Sequence, residues 1–297
     1  MEGEITYFLQ LLVSGCSVGS IYAIIALGFV VIYKATKILN FAHGEIMMIG
    51  VYLCMVLITK FHLNFAIACI ITLIFSALMG IILERIIFRP MIGEPIFAAV
   101  MITLGLSIFL RTMTGMTFGF GNYVFPTPFK EEPIVIQKIV ISHAHLWTII
   151  VCAAVVSILM LFFKYSKLGI AMRAAAENQG YAFLTGINVK KVFSLSWVLA
   201  SVTAATAGIL LGNVHVMNTN LSLVAIKAFP AIILGGMDSL GGALVGGIII
   251  GVAENLVGGY LESYISGIKE ITVYILLFII LIIRPYGLFG TEEIEKV

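Results

Sequence analysis

Asn40, His43 and Glu45 fall within one short stretch, NFAHGE, of a chain that is otherwise oily. An amide, an imidazole and a carboxylate so close together suit catalysis, metal binding or a polar joint. A zinc site takes three or four His, Cys or carboxylate ligands, and no second cluster supplies them. The H-x-E of a deaminase needs a following P-C-x-x-C, and a serine hydrolase needs G-x-S-x-G; the chain has neither. No catalytic or metal residue is therefore assigned. The joint remains: Asn40 accepts from the orphan N–H groups of a following helix, and Glu45 complements its positive end.

Other polar positions pose the same question. The run LGGMDSLGGALVGG (234–247) brackets Asp238 and Ser239 with glycines that break the helix between two apolar runs. Broken helices build midplane or gating sites, so Gly235, Gly236 and Asp238 join Asn40, His43, Glu45 and Glu254 as candidate pathway or gating residues. Arg111 and Glu254 lie deep in apolar runs, where an ionisable group is expensive. Each reads either as a structural ion pair or as a pathway residue. The histidines at 43, 62, 143, 145 and 215 are scattered, and Cys16, Cys54, Cys69 and Cys152 sit singly in apolar runs.

The elements that position these residues follow from composition. Of 297 residues, 61% are hydrophobic and 11% are charged, against roughly 45–50% and about 25% in soluble domains. Such a chain satisfies its backbone by crossing a bilayer as helices. A span needs about 20 apolar residues, and runs of that kind fall near 11–33, 42–60, 64–87, 95–117, 147–164, 192–213, 240–260 and 268–286. A shorter run near 222–236 reads as a short or re-entrant span. The expected fold is an all-α polytopic membrane protein of about eight or nine spans, forming one domain over 1–297. MEGEITYF carries acids where a secretory signal needs positive charge, so the first run reads as a retained span.

Orientation follows the loop cations. With the N-terminus outside and the short run near 222–236 counted as a span, Lys34, Lys37, Arg85, Arg89, Lys164, Lys167, Arg173, Lys190, Lys191, Arg284 and Lys296 lie inside. They outnumber Lys60, Lys130, Lys138 and Lys269 outside. Residues 118–146 are then an external loop in which EEPIVIQKIVIS is rich enough in β-branched residues for a small hairpin. Gly15 and Gly19, Gly242 and Gly246, and Gly247 and Gly251 each form G-x-x-x-G, a pattern for close helix approach within this chain or against another.

Residues 165–191 form an internal loop. Met172, Ala176, Phe183 and Ile187 approximate one helical stripe, which Gly180 and Gly186 cut into short helices with a turn. Arg173 and Glu177 stand at i, i+4 in the weaker order, which directs them to a partner or to lipid headgroups. RAAAENQGYAFLTGI (173–187) resembles the coupling loop of ABC-transporter permeases. With GSIYAIIALGFVVIYKATKILNFAHGEIMMIGVY (19–52), KAFPAIILGGMDSLGGALVGGIIIG (227–251) and RPYGLFG (284–290), the chain resembles the branched-chain amino acid ABC permease family, H-type subunit, from about residue 10 to 290.

That resemblance implies an importer subunit of the bacterial inner membrane, working by alternating access. It further implies a homologous second permease, two ATP-binding subunits docked on a cytoplasmic coupling loop at 165–191, and an external binding protein delivering leucine, isoleucine or valine. Arg173, Ala174, Ala176, Glu177, Ala182 and Gly186 would form the coupling contact, although the loop reads RAAAEN where the family motif has E-A-A. Related permeases of this branch handle other amino acids, amides or urea. The chain has no G-x-x-x-x-G-K-S/T phosphate loop, so no cofactor is expected on it and ATP belongs to its partners. The competing readings are a secondary transporter driven by an ion gradient, which needs an ion site within the spans, and a membrane enzyme, which needs convergent polar residues at one depth.

Overall fold

The computed structural model describes residues 2–91, 94–129, 133–136, 139–177 and 179–290. In chain order it contains α1 (Glu2–Thr36), α2 (His43–Thr59), α3 (Phe65–Leu83) and α4 (Ile96–Phe118). These are followed by strands β1 (Ile134–Ile136) and β2 (Ile139–Ile141), then α5 (His143–Tyr165), α6 (Lys167–Glu177), α7 (Gln179–Leu184) and α8 (Val189–Gly212). Last come α9 (Val224–Lys227), α10 (Phe229–Gly235), α11 (Leu240–Leu261) and α12 (Ile268–Ile283). Every long apolar run of the sequence is a helix, so the all-α polytopic fold holds.

Among the described residues, six helices are long and apolar enough to cross a membrane: α1, α3 with its continuation to Met91, α4, α5, α8 and α11. The helices α2 and α12, of 17 and 16 residues, rise only about 25 Å at 1.5 Å per residue. The run near 222–236 is not one helix. It divides into a 3-10 turn at Leu221–Leu223, α9, and α10 with proline at its start, so no unbroken piece of it matches a hydrocarbon core about 30 Å thick. The expected hairpin is present: β1 pairs antiparallel with β2, Ile134 opposite Ile141. Lys130, Lys138 and Lys296 of the loop-charge comparison lie outside the described residues.

The chain forms two compact units. The first takes Met1–Leu27, Phe129–Val156 and Lys227–Val297; the second takes Gly28–Pro128 and Ser157–Ile226. Glycine contacts organise the first. A Cβ on Gly15 would lie 2.8 Å from Val252 Cα, and one on Gly19 2.8 Å from the Gly247 carbonyl oxygen. A Cβ on Gly246 would run into the Ala231 carbonyl. The G-x-x-x-G faces of α1 and α11 are thus spent on each other and on α10, which answers the sequence-level alternative in favour of packing within this chain. The last described residues strap α10, with Leu288 N–H donating to the Leu234 carbonyl at 2.8 Å.

In the second unit, α8 packs against both α2 and α3. A Cβ on Gly50 would lie 2.9 Å from Ala205 Cα, and one on Gly80 2.6 Å from the Trp197 carbonyl oxygen. Trp197 is buried and stacks on Phe88 at 4.1 Å. Along α3 the small residues Ala68, Thr72, Ser76 and Gly80 are buried while Ile67, Ile70, Ile74, Leu78 and Ile82 are exposed. Small-inside, large-outside is the membrane solution: lipid solvates the large aliphatic groups, and small residues let backbones approach. Polar caps mark helix starts, Asn64 accepting from Ala66 N–H at 2.9 Å and Asn188 from Lys191 N–H at 3.1 Å.

Candidate functional site

The NFAHGE joint lies inside the second unit. Asn40 and His43 are fully buried and Glu45 is 2% exposed. Asn40 does not cap α2 as the sequence suggested: the N-cap is Ala42, which provides no side-chain hydrogen bond. The Asn40 Oδ1 instead accepts from Ala42 N–H at 3.1 Å, an Asx turn that folds the amide over the head of the helix. Its Nδ2 has no partner among the described residues. The His43 ring packs on Phe29 with centroids 4.5 Å apart, and Gly28 leaves it room, since a Cβ there would lie 2.5 Å from Nε2. At Gly44 a side chain would collide with the Ser222 carbonyl.

Glu45, in the first turn of α2, receives a 2.7 Å charge-assisted hydrogen bond from Arg111 Nη2 of α4. Arg111 is half-buried at 34% exposure. Its Nε is enclosed and has no partner among the described residues. Of the two sequence readings for Arg111, an ion pair is therefore present, and its donors are not all used.

Glu254 of α11 belongs to the first unit and is 2% exposed. It accepts from the Tyr22 hydroxyl at 2.6 Å and from Lys227 Nζ at 3.3 Å. Lys227 also stands 3.5 Å from Glu270. Sequence reasoning flagged Glu254 but missed Tyr22 and Glu270. Lys227 stood within an apolar run, the signal that would have paired it with Glu254; Tyr22 carried no signal, since one tyrosine in an apolar helix is ordinary. Gly235 and Gly236 lie in this unit too, at the turn from α10 into α11. Gly236 adopts φ +98°, which only glycine takes without strain. Asp238 is half-buried there, and Ser239 caps α11 by accepting from Gly242 N–H at 3.0 Å. The candidate pathway residues therefore fall into two groups: Asn40, His43 and Glu45 in one unit, Gly235, Gly236, Asp238 and Glu254 in the other.

The described residues of segment 165–191 form α6 and α7 and a turn at Gly186, in keeping with the expected short helical elements. The predicted stripe does not survive. Met172 is buried, Ala176 is half-buried, and Phe183 on α7 is 72% exposed. The buried line is Gly169, Met172 and Ala175, with Ala182. Arg173, Glu177 and Gly186 are exposed and Ala174 is half-buried. At the end of α7, Ile187 N–H reaches the Ala182 carbonyl at 2.9 Å and Gly186 N–H the Phe183 carbonyl at 3.0 Å. With Gly186 at φ +83°, this is a Schellman stop. It presents Tyr181, Phe183 and Leu184, each more than two-thirds exposed, an apolar tip that sequence reasoning did not single out.

Comparison with known proteins places this geometry. Residues 11–284 match the family model described as branched-chain amino acid transport system / permease component. The high-affinity branched-chain amino acid transport system permease protein LivH of Salmonella typhimurium is 35% identical, over 100% of both chains. LivH of Escherichia coli K12 is 34% identical over 100% of both, and BraD of Pseudomonas aeruginosa 34% over 99% of both. Among solved structures, PsaBC from Streptococcus pneumoniae in complex with Fab aligns with 93% of this chain and 90% of its own, at 16% identity and TM-score 0.45. With the model matched across nearly its whole length and relatives above 30% identity end to end, this chain belongs to the branched-chain amino acid transport system permease family and is a multi-pass membrane transport subunit.

Proposed function

We propose that this chain is the H-type permease subunit of an ATP-driven importer of leucine, isoleucine and valine in a bacterial inner membrane. The observation that carries the reading is end-to-end similarity, at 34–35% identity, to permeases named for high-affinity branched-chain amino acid transport. ATP is bound and hydrolysed by two partner subunits, and no cofactor resides on this chain. A homologous second permease and an external binding protein complete the assembly. Segment 165–191 is cytoplasmic and receives the ATPases through α6 and α7; segment 118–146 is external, the N-terminus outside and, with the broken 222–236 stretch counted as one crossing, the C-terminus inside. Alternating access follows when the ATPases close and move that segment. An exposed apolar tip beside exposed Arg173 and Glu177 suits a protein partner, since the core of such contacts is apolar and their rim polar. Against an ion-gradient mechanism, both deep carboxylates, Glu45 and Glu254, already have cationic partners.

The test is purification from the native membrane in mild detergent, mass spectrometry of the associated chains, and reconstitution into liposomes. ATP-dependent leucine uptake with stoichiometric ATPase subunits is the expected result. A chain that purifies alone and carries leucine without ATP overturns the reading.

A further inference from the structure

The Asn40–Glu45–Arg111 cluster has more donors than its own residues use. The helix α2 starts without a side-chain cap among the described residues, which leaves the N–H groups of its first turn and the positive end of its dipole without a side-chain acceptor there. Asn40 is fully buried, held over that helix start by its bond to Ala42 N–H, and its Nδ2 donates to nothing among the described residues. Arg111 spends Nη2 on Glu45, but its enclosed Nε is unspent. Unmade buried donors of this kind are costly, and here one belongs to Asn40, just before the first turn of α2, and one to Arg111, which is paired with Glu45 in that turn.

Depth adds a second constraint. In the span Phe97–Phe118, Arg111 stands about 5 Å from the midpoint at 1.5 Å per residue. The Arg111 side chain is one-third exposed with its Nε enclosed, and a charged group at such depth faces water or another polar surface rather than hydrocarbon. The charges settle what that surface takes. Arg111 and Glu45 cancel, leaving the partial positive charge of the helix end together with spare N–H donors. A net-neutral molecule carrying a carboxylate fits; a cation does not.

We infer that the head of α2, with the Asn40 amide and the Arg111 guanidinium, forms a subsite for the α-carboxylate of a zwitterionic amino acid crossing the membrane. This rests on the proposed transport function and adds a position and a recognised group. Glu45 holds the guanidinium in place and keeps the site electrically balanced, so that the substrate passes without moving net charge.

The experiment uses the complete assembly in proteoliposomes. Phenylglyoxal modification of Arg111 is read by peptide mass spectrometry with leucine or leucinamide present, and with a panel of other amino acids and their amides. The expected result is several-fold protection by carboxylates and none by the amides. Equal protection by acid and amide across the whole panel, or protection by neither, overturns the subsite. Uptake is measured in parallel for R111Q and for E45Q/R111Q. Both are expected to lose about tenfold or more, the scale of one charge-assisted contact, while ATP hydrolysis and co-purification of the partners persist. Recovery of uptake in E45Q/R111Q makes the pair purely structural and overturns the inference. A wild-type assembly that imports no branched-chain amino acid overturns the substrate reading alone, since carboxylate protection is read separately across the panel.

Discussion

At the scale of the residue, the deep charges behave as pairs. Glu254 is enclosed and leans on both Tyr22 and Lys227. Stripping a buried charge of its partner costs about 3–5 kcal/mol, and Lys227, being one-quarter exposed, belongs at the lower end. K227M should therefore lower the thermal midpoint of the purified protein by several degrees, and the double variant K227M/E254Q should recover most of that loss. An unchanged midpoint for K227M would mean that Tyr22 alone satisfies Glu254. A pH effect belongs to Glu262, just past the end of α11. It accepts from Gly267 N–H at 2.8 Å and Lys269 N–H at 3.1 Å, and these bonds hold its carboxyl below the usual range. Because the folded value is the lower one, the stabilisation is full above the ordinary carboxylate pKa and is lost as pH falls through the folded value. The stability of E262Q should accordingly depend less on pH than the wild type below the ordinary carboxylate range, measured as thermal midpoint against pH.

At the scale of the element, glycines inside apolar helices separate into opposite kinds. A Cβ on Gly19 meets the α11 backbone, whereas one on Gly105, within α4, meets nothing within 4 Å. G19V should push α1 from α11 and cost about 2 kcal/mol or more, in the range of overpacked cores. G105A should be neutral or stabilising by about 0.5–1 kcal/mol through helix propensity. Thermal melts of the two variants in one detergent distinguish them. The α6–α7 segment carries its own prediction: E177R or G186W should leave insertion intact and uncouple ATP hydrolysis from uptake, and L184E should weaken co-purification of the ATPases. Normal coupling in E177R and G186W would remove the proposed role of this segment.

At the scale of the molecule, the remaining question is which surface faces which side. Val124 and Leu184 are 83% and 79% exposed, one in the proposed external segment and one in the proposed cytoplasmic segment. V124C should react with a membrane-impermeant maleimide in right-side-out vesicles, and L184C only in inside-out vesicles. The native cysteines lie within α1, α2, α3 and α5 and serve as the background. The reverse labelling pattern inverts the topology.

Hydrophobic run length by itself determined the helices, because lipid leaves a chain this apolar no other way to satisfy its backbone. Even the hairpin at 134–141 was legible, from its β-branched residues. The family was legible from motifs in their order, and the candidate polar positions from the cost of burying them. Tertiary structure decided their partners. Nothing in the local pattern places Arg111 against Glu45, or Tyr22 against Glu254, across 66 and 232 residues; only helix packing does. It also decided that the G-x-x-x-G faces close within one chain, and that Phe183 stays exposed while Met172 is buried. Asn40 changed role for the same reason. Its spacing is that of a helix cap, but the turn at Ala42 takes its oxygen and leaves its nitrogen without a partner among the described residues.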